Sequence, residues 1–173
     1  MPAGTKPAAK LLDDIACHIL QELQEDARIS FAELGRRVGL STPAVMERVR
    51  RLEEADVIRG YRAEINPALI GAPITAFIRV AVTGELLARF ITVTKKLPEV
   101  LECHRVTGSE SFIIKVAVAS IEHMEATIDK LTPYVATTTS IVLSSPVPWR
   151  AFQPIRDDRK RSRLGRNSSQ SGR

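Results

Sequence analysis

The sequence lacks the features that mark several large protein classes. Its two cysteines, Cys17 and Cys103, are far apart and outside any CxxC spacing, which excludes a disulfide framework and a cysteine zinc module. Both lie in apolar-periodic segments and are expected as small buried hydrophobes. No window approaches the roughly 20 consecutive apolar residues that a membrane-spanning helix requires. The first ten residues, MPAGTKPAAK, have no apolar centre of the kind a secretion signal carries. A cytoplasmic protein with no membrane partner is the expectation. His18, His104 and His123 show no metal-ligand spacing, and no GxSxG, P-loop or GxGxxG motif occurs. Cys103 and His104, adjacent on an expected strand, point to opposite faces and make a poor nucleophile and base. Neither an enzyme, nor a metal site, nor a cofactor is indicated.

A spread of positive charge is missing too. The 173 residues carry a formal net charge of +5, but residues 156–173 hold seven basic and two acidic side chains, so the remainder sums to zero. Within residues 12–65 there are 8 basic and 11 acidic residues, so bulk charge does not mark this region for nucleic acid. Local clustering does. Residues 36–51 hold Arg36, Arg37, Arg48, Arg50 and Arg51 against Glu47 alone, a patch suited to phosphate contacts.

What is present is periodicity, and it divides the chain in two. Leu12, Ile15, Ile19 and Leu23 fall on one face of a helix with Asp13 as its N-cap. Ser30 and Glu33 form an S-x-x-E capping box that opens a short second helix, which Gly39 ends. Ser41 or Thr42 then caps a third helix with Pro43 in its first turn, and Val45, Val49 and Leu52 face inward. This leaves Thr42, Ala44, Glu47, Arg48 and Arg51 outward. A short capped helix, a glycine turn and a second capped helix with an arginine-rich face match helix-turn-helix geometry. In that geometry Ser41, Thr42 and Ala44 meet base edges of double-stranded DNA in the major groove, and Glu47 accepts from a cytosine amino group. Arg36, Arg37, Arg48 and Arg51 then position the protein on phosphates. The plainer alternative is a three-helix bundle with a solvated basic face. VIRGYRAEI, residues 57–65, reads as a short strand pair or wing, and Asn66-Pro67 opens a linker over residues 66–73.

Beyond the linker, four β-rich runs (74–82, 100–107, 111–118, 135–143) alternate with two apolar helical faces. One is Leu86, Phe90, Val93 and Leu97; the other is Ile121, Met124, Ile128 and Leu131. The order βαββαβ over residues 74–145 is ferredoxin-like, giving an α+β chain. Strand 111–118 has apolar residues on both faces, so the face without helices is expected to pair with a second copy, as a homodimer. The glycine-centred turn HRVTGSES (104–111) is either a plain hairpin loop or a place where backbone N–H groups approach a carboxylate. Residues 1–11 read as a mobile arm. Residues 146–173 read as a largely disordered basic tail, with Trp149 and Phe152 still able to pack.

The stretches LDDIACHILQELQEDARISFAELGRRVGLSTPAVMERVRRLEEADVIRGYRAEINP and PEVLECHRVTGSESFIIKVAV resemble the two domains of the Lrp/AsnC (leucine-responsive and asparagine regulator) family. The resemblance covers residues 12 to about 145. It implies a winged helix-turn-helix transcription regulator that forms dimers and larger rings, commonly tetramers to octamers, and binds an amino-acid effector between regulatory domains. The family's effector loop matches Gly108, Ser109, Glu110 and Ser111, and its final strand matches Thr138 to Ile141. The chain departs from the family pattern in five places, the fifth being Phe112 in place of a frequent tyrosine. Ala16 stands where Asp is usual, and Ala27 and Asp56 stand where Gly is usual. Ser111, followed by Phe112, stands where an acid would pair with an effector's ammonium group. The basic tail lies outside the pattern, either as a source of non-specific DNA affinity or as a solubilising extension. An architectural, effector-independent DNA-binding protein is the alternative reading.

Overall fold

The computed structural model describes residues 11–82, 84–147 and 149–152. Two compact units emerge, one built from the N-terminal residues up to Ala63 together with the chain from Trp149, the other from Glu64–Pro148. The expected mobile arm at residues 1–10 and the tail beyond Phe152 lie outside the described residues.

In the first unit three helices form a small bundle: α1 (Asp14–Glu25), α2 (Phe31–Val38) and α3 (Thr42–Glu54). Asp13 caps α1 as its sequence position demands, its Oδ1 accepting from the Ala16 N–H at 2.8 Å. The core consists of Ala16 and Ile19 from α1, Leu34 and Val38 from α2, and Val45, Val49 and Leu52 from α3. Burying Ala16 explains how the chain tolerates losing a carboxylate there: the position faces the core at 2% exposure, where a lone charge is costly.

Where the sequence suggests a wing, residues 57–66 form no strand. Val57 and Ile58 instead fold back onto the helical core, both backbone N–H groups closing on the Leu52 carbonyl at 2.9 and 3.1 Å. Asp56 makes that reversal at φ 57°, a left-handed conformation that Asp tolerates. The following residues, 59–66, are all exposed, and a two-stranded ribbon this short has too little to bury to hold itself together.

The second unit is a four-stranded antiparallel sheet of order β2-β3-β1-β4, with β1 Ile74–Ala81, β2 Val100–Arg105, β3 Phe112–Val118 and β4 Ala136–Ile141. Helices α4 (Leu86–Thr94) and α5 (Ile121–Asp129) complete the expected βαββαβ order. A 3-10 turn, Pro67–Ile70, precedes β1, with Asn66 as its cap. Alternation sets the two faces of the sheet. Ile78, Val80, Phe112, Ile114, Val116 and Val118 all point into the core with Phe90, Met124 and Leu131 from the helical layer, and Phe90 meets Phe112 with ring centroids 4.9 Å apart. The opposite face carries Phe77, Arg79, Ile113 and Lys115, and among the described residues no element covers it. Cys103 departs from expectation: β2 is an edge strand with exposed residues along most of its length, and Cys103 is exposed, whereas Cys17 is half-buried.

Glu99, just before β2, ties α5 to the sheet. Its Oε1 receives the His123 ring Nε2 at 3.0 Å and Lys130 Nζ at 3.1 Å, and its side chain is only 7% exposed. Burial alone pushes this carboxyl up, but its own backbone N–H, His123 and Lys130 outweigh that and hold it down at about 2.

Two predictions follow from these placements. A Cβ on Gly35, buried in α2, would stand 2.6 Å from the Leu40 backbone carbonyl oxygen, an atom that cannot move without reshaping the turn. Gly35→Ala is therefore expected to cost the helical unit about 2 kcal/mol in a urea titration; an unshifted midpoint contradicts the close approach. The Glu99 carboxyl lies below its ordinary 4.5 in the folded state, so its contribution is complete above that pH and is lost as pH falls toward 2. Glu99→Gln should lower the melting temperature of the sheet unit at neutral pH, and the gap to the parent protein should close on acidification between about pH 5 and 2. A gap independent of pH would remove the charge from the account.

Candidate nucleic-acid interface and effector loop

The turn between α2 and α3 is fixed from both sides. Ser30 accepts from the Glu33 N–H at 3.2 Å to open α2, and Gly39 closes it at φ 72°. The N–H groups of Gly39 and Leu40 both return to the Gly35 carbonyl, the latter at 2.8 Å. The capping box is half formed: the Glu33 carboxylate turns away to Arg36 and Arg37. Ser41 occupies the N-cap position of α3 without donating or accepting a side-chain cap bond. Ser41 and Thr42 are exposed and Ala44 half-buried, and the first turn of α3 holds no acidic residue. An uncharged, accessible helix N-terminus with unpaired N–H groups suits approach to a polyanion and to base edges.

Each arginine of the patch is matched by a carboxylate. Arg36 lies 2.7 Å from Glu33, and Arg37 bridges Glu33 at 2.8 Å and Glu22 at 2.7 Å. Arg51 lies 2.8 Å from Glu47, while Arg50 joins Glu47 and Glu54. The neighbouring guanidiniums hold both Glu33 and Glu47 at about 2. Glu47 is thus committed to Arg50 and Arg51, not free for a base. Arg48 differs from the others. It points to the head of α1, where its Nη1 donates to both Asp13 oxygens at 2.9 and 2.7 Å, so the residue that caps α1 also fixes the middle of α3. Exposed pairs such as those of Arg36 and Arg51 exchange partners easily because water screens them, whereas Arg37 also holds the more buried Glu22. Beside this face Phe31, Pro43, Met46 and Val49 line an apolar groove of about 430 Å³ that sequence patterning does not reveal.

In the sheet unit, the loop from Thr107 to Ser111 carries Gly108 at φ 123°. Ser111 is fully engaged: its N–H donates to Val80 O at 2.7 Å, its hydroxyl donates to Val82 O at 2.8 Å, and it accepts from the Val82 N–H at 3.3 Å. An aspartate could not donate to that carbonyl. Glu110 is half-buried, and its carboxyl lies below the ordinary range because the Ser109 hydroxyl donates to it at 2.7 Å, with smaller contributions from its own backbone N–H and from Arg79. The final strand separates two residues that the sequence places together. Thr138 pairs with Arg79 on the open face, whereas Ile141 pairs with Ala76 on the helix-covered face. Three positions apart on one strand, they cannot line the same side of the sheet. The sequence reading misses Asp13 as the partner of Arg48 and Gly35 as the pivot of the turn. For the latter a signal existed, since glycine inside a helix costs about 1 kcal/mol and needs a reason. Among the described residues no His, Cys, Asp or Glu cluster is placed to hold a metal ion, and no helix is long and apolar enough to cross a membrane.

Comparison with known proteins agrees with both units. The AsnC-type helix-turn-helix domain family matches residues 12–53, and the Lrp/AsnC ligand binding domain family matches residues 75–152. The HTH-type transcriptional regulator LrpC of Bacillus subtilis is 35% identical over 133 residues, 77% of this chain and 92% of that protein. The leucine-responsive regulatory protein of Escherichia coli is 41% identical over 121 residues, 68% of this chain and 74% of that protein. The solved structure of Bacillus subtilis LrpC superposes with a TM-score of 0.77 at 34% identity, covering 80% of this chain and 99% of its own. A Neisseria meningitidis transcriptional regulator in complex with L-Met superposes with a TM-score of 0.78 at 29% identity, covering 82% of this chain and 96% of that one. These relatives are regulators of transcription and not enzymes. With a DNA-binding helix-turn-helix at one end and a ligand-binding sheet domain at the other, the chain belongs to the Lrp/AsnC family of transcriptional regulators.

Proposed function

We propose that this protein is a sequence-specific, amino-acid-responsive regulator that acts on double-stranded DNA as a homodimer or a larger assembly of such dimers, tetramer to octamer, in the cytoplasm. The observation that carries the DNA half is the bare first turn of α3, where Ser41, Thr42 and Ala44 offer small groups to a major groove while Arg36, Arg37 and Arg51 flank it. On contact, these three arginines exchange carboxylates for phosphates, and Arg48 stays on Asp13 to hold the helix at its docking angle.

For the effector, the loop itself argues for a shift of role by one residue. Ser111 spends its hydroxyl on Val82, so an amino acid's ammonium group takes Glu110, whose carboxylate is accessible and charged. Gly108 and Ser109 bring backbone N–H groups to the same loop, and Thr138 reaches the open face beside Arg79. Ile141 faces the other side and has no part in this site. The L-Met complex of the Neisseria meningitidis regulator supports an amino acid as the class of ligand. Self-association is supported by the open sheet face, where Phe77 is 41% exposed beside half-buried Ile113, an apolar surface that a second copy would cover.

The test is fluorescence anisotropy on duplex DNA from upstream of the protein's own coding sequence, titrated with and without a mixture of amino acids. The parent protein should bind this DNA in the presence of competitor, with an affinity that shifts severalfold when the mixture is added. Glu110→Gln should bind the DNA alone unchanged and lose most of that shift. Binding that ignores both sequence and amino acids would return the architectural reading, and a Glu110→Gln protein that responds like the parent would remove Glu110 from the site.

A further inference from the structure

The four-stranded sheet ends on β2, and among the described residues no strand lies beyond it. Every residue of β2 after Val100 is exposed. The strand carries neither proline nor lysine, residues that commonly guard a free sheet edge. A register shift between Val100 and Glu102 confines its irregularity to the first residues, so the ladder from Glu102 to Arg105 is regular. The Val106 N–H donates to Ser111 O at 3.0 Å, which fixes the phase of that ladder. Residues of an antiparallel strand turn their N–H and C=O groups alternately to one side and the other, so those of Cys103 and Arg105 point away from β3. Two donors and two acceptors therefore stand along an open edge.

The side chains of this edge are complementary to themselves. Glu102 and His104 lie on the open face of the sheet, 3.1 Å apart, and Lys115 Nζ reaches the other Glu102 oxygen at 3.1 Å. Antiparallel pairing of β2 with β2 of a second copy, about a two-fold axis at Cys103, sets Glu102 opposite the second copy's His104 and His104 opposite its Glu102. Directly opposed residues have Cβ atoms about 5 Å apart, where an acid and a base attract and two acids repel. His104 spends Nε2 on its own Glu102, which leaves Nδ1 for the second carboxylate. Sliding the strands by two residues sets Glu102 against Glu102 in one direction and His104 against His104 in the other. Sliding them by one turns the wrong backbone groups to the join. One register is thus selected. The other free edge, β4, has the sequence ATTTSI, carries no charge and selects none.

We propose that β2 is a self-pairing edge: two copies of the chain join through antiparallel β2 strands centred on Cys103, with Glu102 and His104 exchanged across the join. The edge is a different surface from the open face of the sheet, so a copy that covers that face leaves β2 free. Two self-complementary contacts per chain, one by the face and one by the edge, build dimers into larger closed assemblies. For those larger assemblies the inference rests on the reading of this protein as a dimer through its open sheet face, and the experiment separates the two.

Cys103 reports on the join. In the proposed register the two Cys103 residues face each other. Copies packed by the open face hold them apart, because Cys103 pairs with Ile114 and shares its side of the sheet, the one turned to the helices. The full chain is treated with bismaleimidoethane, a short thiol cross-linker, and its mass in solution is measured by light scattering. A cross-linked pair should appear on a denaturing gel for the parent and vanish in Cys103→Ser, which keeps the half-buried Cys17. His104→Glu sets acid against acid and should lower the mass to that of a dimer. Adding Glu102→Lys to it restores opposite charges and should recover both the larger mass and the cross-link. Unchanged far-ultraviolet circular dichroism shows that the variants are folded. A parent larger than a dimer that gives no Cys103 cross-link and keeps its mass in His104→Glu overturns the edge pairing, and self-association then runs through another surface. A parent dimer without the cross-link overturns the edge and leaves the face reading standing. A parent dimer with the cross-link supports the edge and removes the face reading. A monomer removes both.

Discussion

The pairing of arginine with carboxylate across the three-helix unit fixes the face that the proposed function offers to DNA. Five arginines sit on or beside the helix-turn-helix, and every one has an acid within hydrogen-bonding distance. Three of these arginines, Arg36, Arg50 and Arg51, pair with carboxylates that water reaches and are open to exchange, and a fourth, Arg37, also holds Glu22, whose side chain is 14% exposed. The fifth, Arg48 to Asp13, is of another kind, because Asp13 already accepts from the backbone at the start of α1 and so cannot swing away without uncapping that helix. One carboxylate therefore fixes two helices to each other. The first turn of α3 gains a defined height and angle from this tie, and Ser41 and Thr42 there are exposed.

The sheet unit follows a parallel logic, in which backbone closure decides which side chains remain free for chemistry. β1 and β3 pair directly through Val80 and Phe112, and beyond that pair the Ser111 hydroxyl extends the ladder by two bonds to Val82. Serine both donates and accepts, a combination an ionised acid cannot supply. Ser111, where the family resemblance implies an acid, spends its hydroxyl on Val82, and the carboxylate of the loop lies one residue earlier at Glu110. Glu99 shows the opposite use of an acid: it is buried, and two cationic or donating groups from α5 and its C-terminal end hold it there, so its charge serves the packing of the helix.

Much of this was legible in the sequence, for reasons that differ by element. The Asp13 and Ser30 caps, the Gly39 stop, and the strands and helices of the βαββαβ unit are all local patterns, and each falls within a few residues of its expected bounds. The inward faces of β1 and β3 follow from strict alternation alone. The partners of side chains separated by tens of residues were not legible. Arg48 and Asp13 are 35 positions apart, and Gln24 and Phe152 are 128 apart, so composition can suggest neither pairing. The wing failed for a related reason, because a strand exists only with a partner strand, and residues 57–66 find none among the described residues. Thr138 and Ile141 are grouped by the family resemblance of the final strand, and the period of two on that strand places them on opposite faces.

The most direct test of this account is to follow the arginine side-chain Nε–H resonances of the full-length protein by NMR during titration with duplex DNA from upstream of its own coding sequence. The account requires the Arg36, Arg37 and Arg51 resonances to move together with the backbone amides of Thr42 and Ala44 as carboxylate partners give way to phosphates. Arg48 should remain where it was, still bound to Asp13. Movement of Arg48 with silence at Thr42 and Ala44 would contradict it, because the helix the structure presents to DNA would then not be the one that binds.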